Sequence, residues 1–452
     1  MSAEETIAKA TLGTKWEGRL WTVGGAVRDE MLGLPAPPDI DIVLEDDAGE
    51  LAKHFWERGI SEITPVEYAR FGAALMRIDG VSVEFTSARS ESYEKHSRKP
   101  NVSSATLEDD ARRRDFTCNT LMRNIHTGEI ADPLGVGLAD LEDKILRTPV
   151  DAARTFDDDP LRMLRAVRFK NRLGFSFAPG LGEAIAQEKE RLSIVSGERI
   201  RDELVRMLQS DKPAQCLADL MSLGLLGVFV PEFEEGVGVE QGSYHTKDVW
   251  GHTLDVVREA TEREGSLIVR LGALFHDIGK PRSRSTEEGG RVRFFGHERA
   301  GAQMTLDILR RLRFGRRFSE EVAKIVANHM RLGSALPFTA SAARRIVRDM
   351  GDLLEPLLQV CQADAVALGA KPNGVDFAAI RERIEEVNEK AQRSNLESPL
   401  SGSEIMAALG LAAGPEVGKL KDRLTEAVLS GSIAPGDKEA ALALIQLSES
   451  DP

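Results

Sequence analysis

Asp39-Ile40-Asp41 sets two carboxylates at positions i and i+2. Within a strand such residues face one side, so both can share divalent ions such as Mg2+. Two ions held this way lower the pKa of an attacking hydroxyl and neutralise a leaving pyrophosphate in an in-line displacement. Alone, this spacing reads more readily as a solvated strand end. The run upstream, LWTVGGAVRDEMLGLP, changes that balance. A strand ending in Gly24-Gly25 and passing into a helix gives backbone N–H groups free approach to phosphate oxygens, and Arg28 adds a positive charge one turn along. Glu84, in VSVEFTSAR, is a candidate third carboxylate, although a lone Glu on a strand is ordinarily just exposed.

Asp159 and Arg162 stand three apart and are predicted to share a helix face. A carboxylate accepts a hydrogen bond from the exocyclic amine of cytosine or adenine, while a guanidinium donates to the neighbouring ring nitrogen or O2. Guanine and uracil present a carbonyl there, which leaves buried acceptors facing each other at a cost of about 1–3 kcal/mol. The pair could therefore accept C and A and reject G and U. The plainer alternative is a surface ion pair at a helix start, with Pro160 in the first turn.

Five of the eight histidines fall in one window: His245, His252, His276, His297 and His329. His276 and Asp277, adjacent at a helix end, can reach one cation. A mixed nitrogen and oxygen set of this kind suits transition metals or Mg2+. A lone histidine is more often a satisfied core residue; the flanking ligands argue otherwise here.

The elements that must position these groups change character near residue 150. Before it, apolar runs at 20–23, 40–44, 73–78 and 81–85 alternate with turn residues and read as strands among a few helices. After it, segments at 159–169, 198–208, 249–260 and 343–349 space apolar residues three and four apart and read as helices. RSNLESPLSGS, 393–403, is the expected linker. The fold class is α+β, a small mixed-sheet head followed by a helical neck, body and tail.

A length of 452 residues suggests roughly three domains of about 150 residues each. Three cysteines, Cys118, Cys216 and Cys361, lie far apart, which argues against a disulfide framework or zinc knuckle and for a reducing compartment. The N-terminus lacks a basic segment followed by an apolar run, and no stretch of about 18 apolar residues occurs, so a cytoplasmic protein without a membrane partner is expected. A net charge of −14 disfavours a polyanionic partner at long range. Local clusters reverse this: between Arg162 and Arg206, ten basic residues face six acidic ones. A second cluster, Arg310, Arg311, Arg313, Arg316 and Arg317, reads as solvated surface.

GGAVRD followed by DID resembles the nucleotidyltransferase signature of the DNA polymerase β superfamily, and other head motifs resemble the class II tRNA nucleotidyltransferases. Arg113-Arg114-Asp115-Phe116-Thr117-Cys118-Asn119 is similar to that family's RRDFTxN element. The resemblance implies ribose and triphosphate contacts for Arg114, Asp115 and Asn119, and a triphosphate cradle of Gly24, Gly25 and Arg28. Asp132-Pro133-Leu134-Gly135 with Asp140-Leu141 and Ile145-Leu146-Arg147 resembles the hinge between head and neck, with Val136 where a second glycine is common. The stretch 87–110 occupies the place of the family's mobile loop.

Asp158-Asp159-Pro160-Leu161-Arg162 resembles the EDxxR motif, with Asp158 in place of Glu, and implies base-reading roles for Asp159 and Arg162 with Arg165 nearby. ERIRDEL, 198–204, resembles the following motif, which supports that helix. His252, HDIGKP at 276–281 and Asp364 follow the ligand order of the HD superfamily, with His297 and His329 where HD enzymes hold a second metal. The resemblance implies tRNA, CTP and ATP as partners, Mg2+ in the head, a divalent ion such as Ni2+, Mn2+ or Co2+ in the HD site, and addition of CCA without a template. It also implies a head at 1–147, a neck and RNA-binding region at 148–240, an HD domain at 241–375 and a tail at 376–452. CC-only or A-only addition, poly(A) synthesis, and HD phosphohydrolysis or RNA chaperoning with a vestigial head are the rival readings.

Overall fold

The computed structural model describes residues 2–68, 72–92, 101–241, 247–287, 291–332, 338–368, 375–393 and 397–447. The chain falls into two compact units, Met1–Glu234 and Glu235–Pro452.

The first unit is built on a mixed seven-stranded sheet. Its strands are β1 (Leu20–Val23), β2 (Asp39–Leu44), β3 (Val66–Tyr68), β4 (Ala73–Ile78), β5 (Val81–Ser87), β8 (Met122–Asn124) and β9 (Ile130–Ala131). Between them in the chain, β6 (Arg89–Ser92) and β7 (Asn101–Ser104) form a separate antiparallel pair. The sheet order is β3-β4-β5-β2-β1-β8-β9. Only β2 and β5 pair in parallel, with Asp41 opposite Glu84. All four runs expected as strands are strands; β2 starts one residue earlier, at Asp39, and β5 runs on to Ser87.

Alternation along β2 and β5 sends Ile42, Leu44, Val83 and Phe85 into a core shared with Leu51 and Phe55 of the Ala48–Glu57 helix. The rings of Phe55 and Phe85 pack 5.4 Å apart. Burying each such side chain stabilises the head by about 1.5–3 kcal/mol. Val23, Val43 and Met122 pack on the opposite face. The expected mobile stretch at 87–110 contains the β6–β7 pair and the Leu107–Arg112 helix, while residues 93–100 lie outside the described set.

Val136 is tolerated in the hinge because its φ is −128°, an ordinary value for a side-chain-bearing residue. The left-handed conformation falls on Gly135, at φ +69°, and the missing side chain matters at Gly137, where a Cβ would lie 2.8 Å from the Thr117 carbonyl oxygen.

Helices follow, including Ala152–Asp158, Leu161–Leu173, Gly197–Leu208 and Pro213–Ser222. One short ribbon, Ile145–Leu146 paired in parallel with Ser176–Phe177, interrupts them. The Leu161–Leu173 helix stops at Gly174, whose left-handed φ of +68° closes its C-terminus.

The second unit packs Val249–Glu262, Leu267–Phe275, His297–Arg311, Arg316–Asn328 and Leu354–Ala367, with one small ribbon, Ser285–Thr286 against Val292–Arg293. The tail helices Gly402–Leu409, Pro415–Ser430 and Lys438–Leu447 bury Ile405, Leu424, Val428 and Ile445 together. The expected linker ends at Ser401 rather than Ser403, because Ser401 and Glu404 form a reciprocal capping box that starts the next helix; residues 394–396 lie outside the described set. Among the described residues, no helix is long and apolar enough to cross a membrane.

Candidate nucleotide site and metal centre

In the head, Asp39 and Asp41 stand exposed on one face of β2, while Ile42 turns into the core. Glu84 faces solvent from the position paired with Asp41, so three carboxylates gather at one end of the parallel pair. Lost hydration, then the charges of Glu84 and Asp39, raise the pKa of Asp41, and Arg114 opposes them. Such clustered negative charge asks for a cation.

The turn before the Gly25–Met31 helix depends on Gly24, at φ +73° and ψ −131°. A Cβ there would meet Arg114 Nη1 at 3.4 Å and Asp41 Oδ2 at 4.0 Å. The glycine turn, Arg114 and Asp41 are therefore immediate neighbours. Arg114 is held by Asp110, whose Oδ2 accepts from Arg114 Nε and Nη2 at 3.1 and 2.9 Å, while Oδ1 accepts from Arg113 Nε at 2.9 Å. Asp110 is fully buried. Its i,i+3 and i,i+4 spacing to the two arginines is the signal that the sequence carries for this contact.

Arg28 lies beside the glycine turn, its Nη2 3.5 Å from where a Gly25 Cβ would be, but is buried. It is 2% exposed, donates to Asp29 Oδ1 and to Asn119 Oδ1, and rests over the Phe169 ring at 4.9 Å. Asn119 in turn donates to Asp115 Oδ1, and Asp115 pairs with Arg165 at 2.6 Å. Burial opposes ionisation of Asp115, but Arg165 and Asn119 outweigh it and hold the carboxyl at about 2. Arg28, Asp115, Asn119 and Arg165 thus form one buried network that ties the sheet region to the Leu161–Leu173 helix, with the Gly24-Gly25 turn at its edge.

Asp159 and Arg162 do not share one continuous helix. Asp159 is extended, at φ −145° and ψ 100°, in the break between Ala152–Asp158 and Leu161–Leu173. Pro160, with no N–H and with its steric bias on the preceding residue, enforces that break. Asp159 caps the new helix by accepting from Leu161 N at 3.2 Å, and Arg199 grips both its oxygens at 3.2 and 2.7 Å. Arg162 donates to the Arg113 carbonyl oxygen. The helix-support motif at 198–204 therefore acts directly on the acid through Arg199, a contact that sequence spacing does not reveal.

In the second unit, Asp277 is the hub. Its Oδ2 lies 3.1 Å from His276 Nε2 and 3.7 Å from His252 Nε2, and its Oδ1 lies 3.5 Å from His297 Nε2 and 3.8 Å from His329 Nε2. Asp364 reaches His252 Nε2 at 2.9 Å. Two buried triads result, His252-His276-Asp277 and Asp277-His297-His329. Three Nδ1 atoms lie at 2.7–2.8 Å from backbone carbonyls: His276 to Ala273, His297 to Phe294 and His329 to Val326.

A carbonyl only accepts, so each Nδ1 carries the proton and each Nε2 turns a lone pair inward in the neutral ring. His297 and His329 then oppose their Nε2 atoms at 3.2 Å. Asp277 Oδ2 also takes an ion pair from Lys280 Nζ at 2.6 Å, while the buried His276 Nε2 finds no donor. Opposed lone pairs and the unpartnered His276 Nε2 fit divalent ions, with Asp277 able to bridge two. Burial and the neighbouring His276 and His297 lower His329 to about 4, which keeps it neutral at ordinary pH with its Nε2 lone pair available. His245 lies outside the described residues. Within the arginine cluster, Arg316 and Arg317 pair with Glu320 and Glu321 at the surface.

Three family models match the chain: the Poly A polymerase head domain over residues 20–147, the probable RNA and SrmB-binding site of polymerase A over 174–236, and the HD domain over 243–369. The A-adding tRNA nucleotidyltransferase of Deinococcus radiodurans is 36% identical over 75% of this chain and 79% of its own length. The CC-adding tRNA nucleotidyltransferase of Thermus thermophilus is 35% identical over 94% of this chain and 92% of its own. The multifunctional CCA protein of Pseudomonas fluorescens is 32% identical over 87% and 96%. The fold matches the crystal structure of the Bacillus stearothermophilus CCA-adding enzyme in complex with CTP, at a TM-score of 0.69 and 24% identity over 99% of this chain and 97% of that one. With identity of this level sustained over nearly the full length of its relatives, the chain belongs to the tRNA nucleotidyltransferase family.

Proposed function

We propose that the protein builds CCA on the 3′ end of tRNA from CTP and ATP without a nucleic-acid template, in the cytoplasm. The observation that carries this is the convergence of Asp39, Asp41 and Glu84 beside the Gly24 turn and Arg114. Divalent ions held by Asp39 and Asp41, Mg2+ by their oxygen chemistry, would supply charge neutralisation at the α-phosphate and activation of the attacking hydroxyl. The Gly24-Gly25 turn and Arg114 hold the triphosphate, and Asp110 keeps the Arg114 guanidinium aimed. Arg28, Asp115, Asn119 and Arg165 position the ribose end of the nucleotide by fixing the wall of the site.

Asp159, oriented by Arg199, accepts from the amine of C or A, and Arg162 donates beside it. Three free, buried cysteines support a reducing compartment. In the second unit, His252, His276, Asp277 and Asp364, with His297 and His329, would hold divalent ions of the Ni2+, Mn2+ or Co2+ class that supply hydrolysis of phosphate esters at RNA ends. The division into head, neck, HD domain and tail at 147, 240 and 375 accompanies this reading.

A second reading, addition of only CC or only A, is favoured by the names of the A-adding and CC-adding relatives. One assay separates them. Given tRNAs ending before CCA, after CC and after CCA, with CTP and ATP offered singly and together, the protein adds three nucleotides and stops. Arrest after two, or extension only of the CC-ending tRNA, selects the second reading; an open-ended A ladder refutes both.

A further inference from the structure

Two segments that carry histidines of the metal centre meet at a pair of glycines, closer together than a side chain would allow. Gly279 follows Asp277 by two residues, in the turn after the Leu267–Phe275 helix, and Gly301 lies one turn into the His297–Arg311 helix. A Cβ on Gly279 would stand 2.2 Å from the His297 carbonyl oxygen, 2.6 Å from Gly301 N and 3.1 Å from Gly301 Cα. A Cβ on Gly301 would stand 3.3 Å from Gly279 N. The φ of Gly279 lies outside the left-handed region, so the position calls for the absent side chain and not for backbone freedom. The obstructing atoms are backbone, among them the carbonyl of His297 itself, and no rotamer change can clear them.

This contact sets the spacing across the centre. His276 and Asp277 come from one segment and His297 from the other, with His297 Nε2 3.5 Å from Asp277 Oδ1 and 3.2 Å from His329 Nε2. Relieving a Gly279 Cβ would part the segments by roughly 1 Å, because non-bonded contacts settle near about 3.5 Å. Metal–ligand distances tolerate about 0.2 Å, so a shift of that size takes His297 out of coordination. The less buried segment is the one that gives way. Phe275, His276, Asp277 and Ile278 are at most 4% exposed, whereas Phe295, just before His297, is 73% exposed. His252 and Asp364 stand on two other helices, Val249–Glu262 and Leu354–Ala367, and keep their places beside His276.

We infer that Gly279, backed by Gly301, is the positioning residue that lets the centre hold two ions. The bare backbone contact keeps His297 within reach of an ion shared with Asp277 and His329; a side chain at 279 leaves only the ion of His252, His276 and Asp277. The inference rests on the reading of this unit as a divalent-metal centre. It assigns the number of ions to a residue that ligates none, acting as the groups that support metal ligands from outside do.

The test loads the full-length apo protein with Mn2+ and compares wild type, G279A, G301A and G265A. Gly265→Ala controls for packing damage: its Cβ would stand 2.6 Å from the Ala260 carbonyl oxygen, and the three atoms nearest it belong to Ala260 and Val269. Calorimetric titration gives the number of ions, electron paramagnetic resonance reports whether two Mn2+ ions are magnetically coupled, and circular dichroism reports folding. Wild type is expected to take two coupled ions, and G279A one, with the spectrum of an isolated ion. G301A, whose contact is milder, should take two, the second bound roughly 10- to 100-fold more weakly. Two coupled ions in G279A, or loss of both, overturns the inference, as does an equal loss in G265A. Where G279A does not fold, G301A decides, and wild-type affinity for its second ion overturns the inference. A wild type that takes one ion or none removes the two-ion reading of the centre and the inference with it.

Discussion

Gly24 concentrates the geometry of the head, so Gly24→Ala is the most informative single perturbation. Its φ of +73° with ψ of −131° is a conformation that side-chain-bearing residues avoid. Forcing alanine into it costs about 1–3 kcal/mol. The added Cβ would also touch Arg114 Nη1 at 3.4 Å, an ordinary contact that adds little. The turn has two responses. It can keep its shape, and the strain then appears as lost stability of the first unit. Or it can relax, and the backbone N–H groups and Arg114 leave their alignment with Asp41.

In the second case the same energy appears in catalysis. At 1.36 kcal/mol per tenfold, kcat/KM for CTP falls roughly 5- to 160-fold. Gly33→Ala is the matched control: its φ is +65° and nothing lies within 4 Å of the would-be Cβ, so it carries backbone strain without proximity to the site. The measurements are kcat/KM for CTP on a tRNA lacking CCA and thermal unfolding, for both variants. Gly33→Ala should lose stability alone. If Gly24→Ala retains wild-type kcat/KM and wild-type Tm, or if Gly33→Ala loses activity equally, the proposed link from turn to triphosphate is wrong.

Two further outcomes follow from the two buried centres. Asp277 faces both histidine groups, so Asp277→Ala should abolish divalent-metal binding in the second unit, whereas His329→Ala should lower the Ni2+ or Mn2+ stoichiometry while leaving an ion at His252 and His276; calorimetric titration of the apo protein reads both, and equal losses would argue for a single ion. Asp115 is held at about 2 in the folded state against an ordinary 3.8. Its contribution, on the order of 2–3 kcal/mol, is fully present above the unfolded pKa and is lost as pH falls toward 2. Unfolding of wild type and Asp115→Asn between pH 6 and 2 should therefore converge at the acid end, and parallel curves would remove Asp115 from that role.

The sequence alone determined a great deal here, because period-two apolar runs, a glycine pair and closely spaced acids report local geometry. The four strands, the shared face of Asp39 and Asp41, and the pairing of His276 with Asp277 are short-range facts, set by pleat and by adjacency. Side-chain direction across tens of residues is another matter. That Glu84 lands opposite Asp41 depends on strand register, that Arg28 turns inward depends on Asn119 and Phe169 meeting it, and that Asp159 is gripped depends on Arg199 forty residues away.

Pro160 shows the boundary between the two. Its presence was visible, but the break it makes, and hence the extended backbone at Asp159, emerged only when the following helix packed. Likewise the histidines were countable in the chain, yet the opposed lone pairs of His297 and His329 are a property of two helices brought together. Local periodicity is written in the order of residues, whereas the partners of buried charges are chosen by packing, where an unpaired charge is too costly to leave alone.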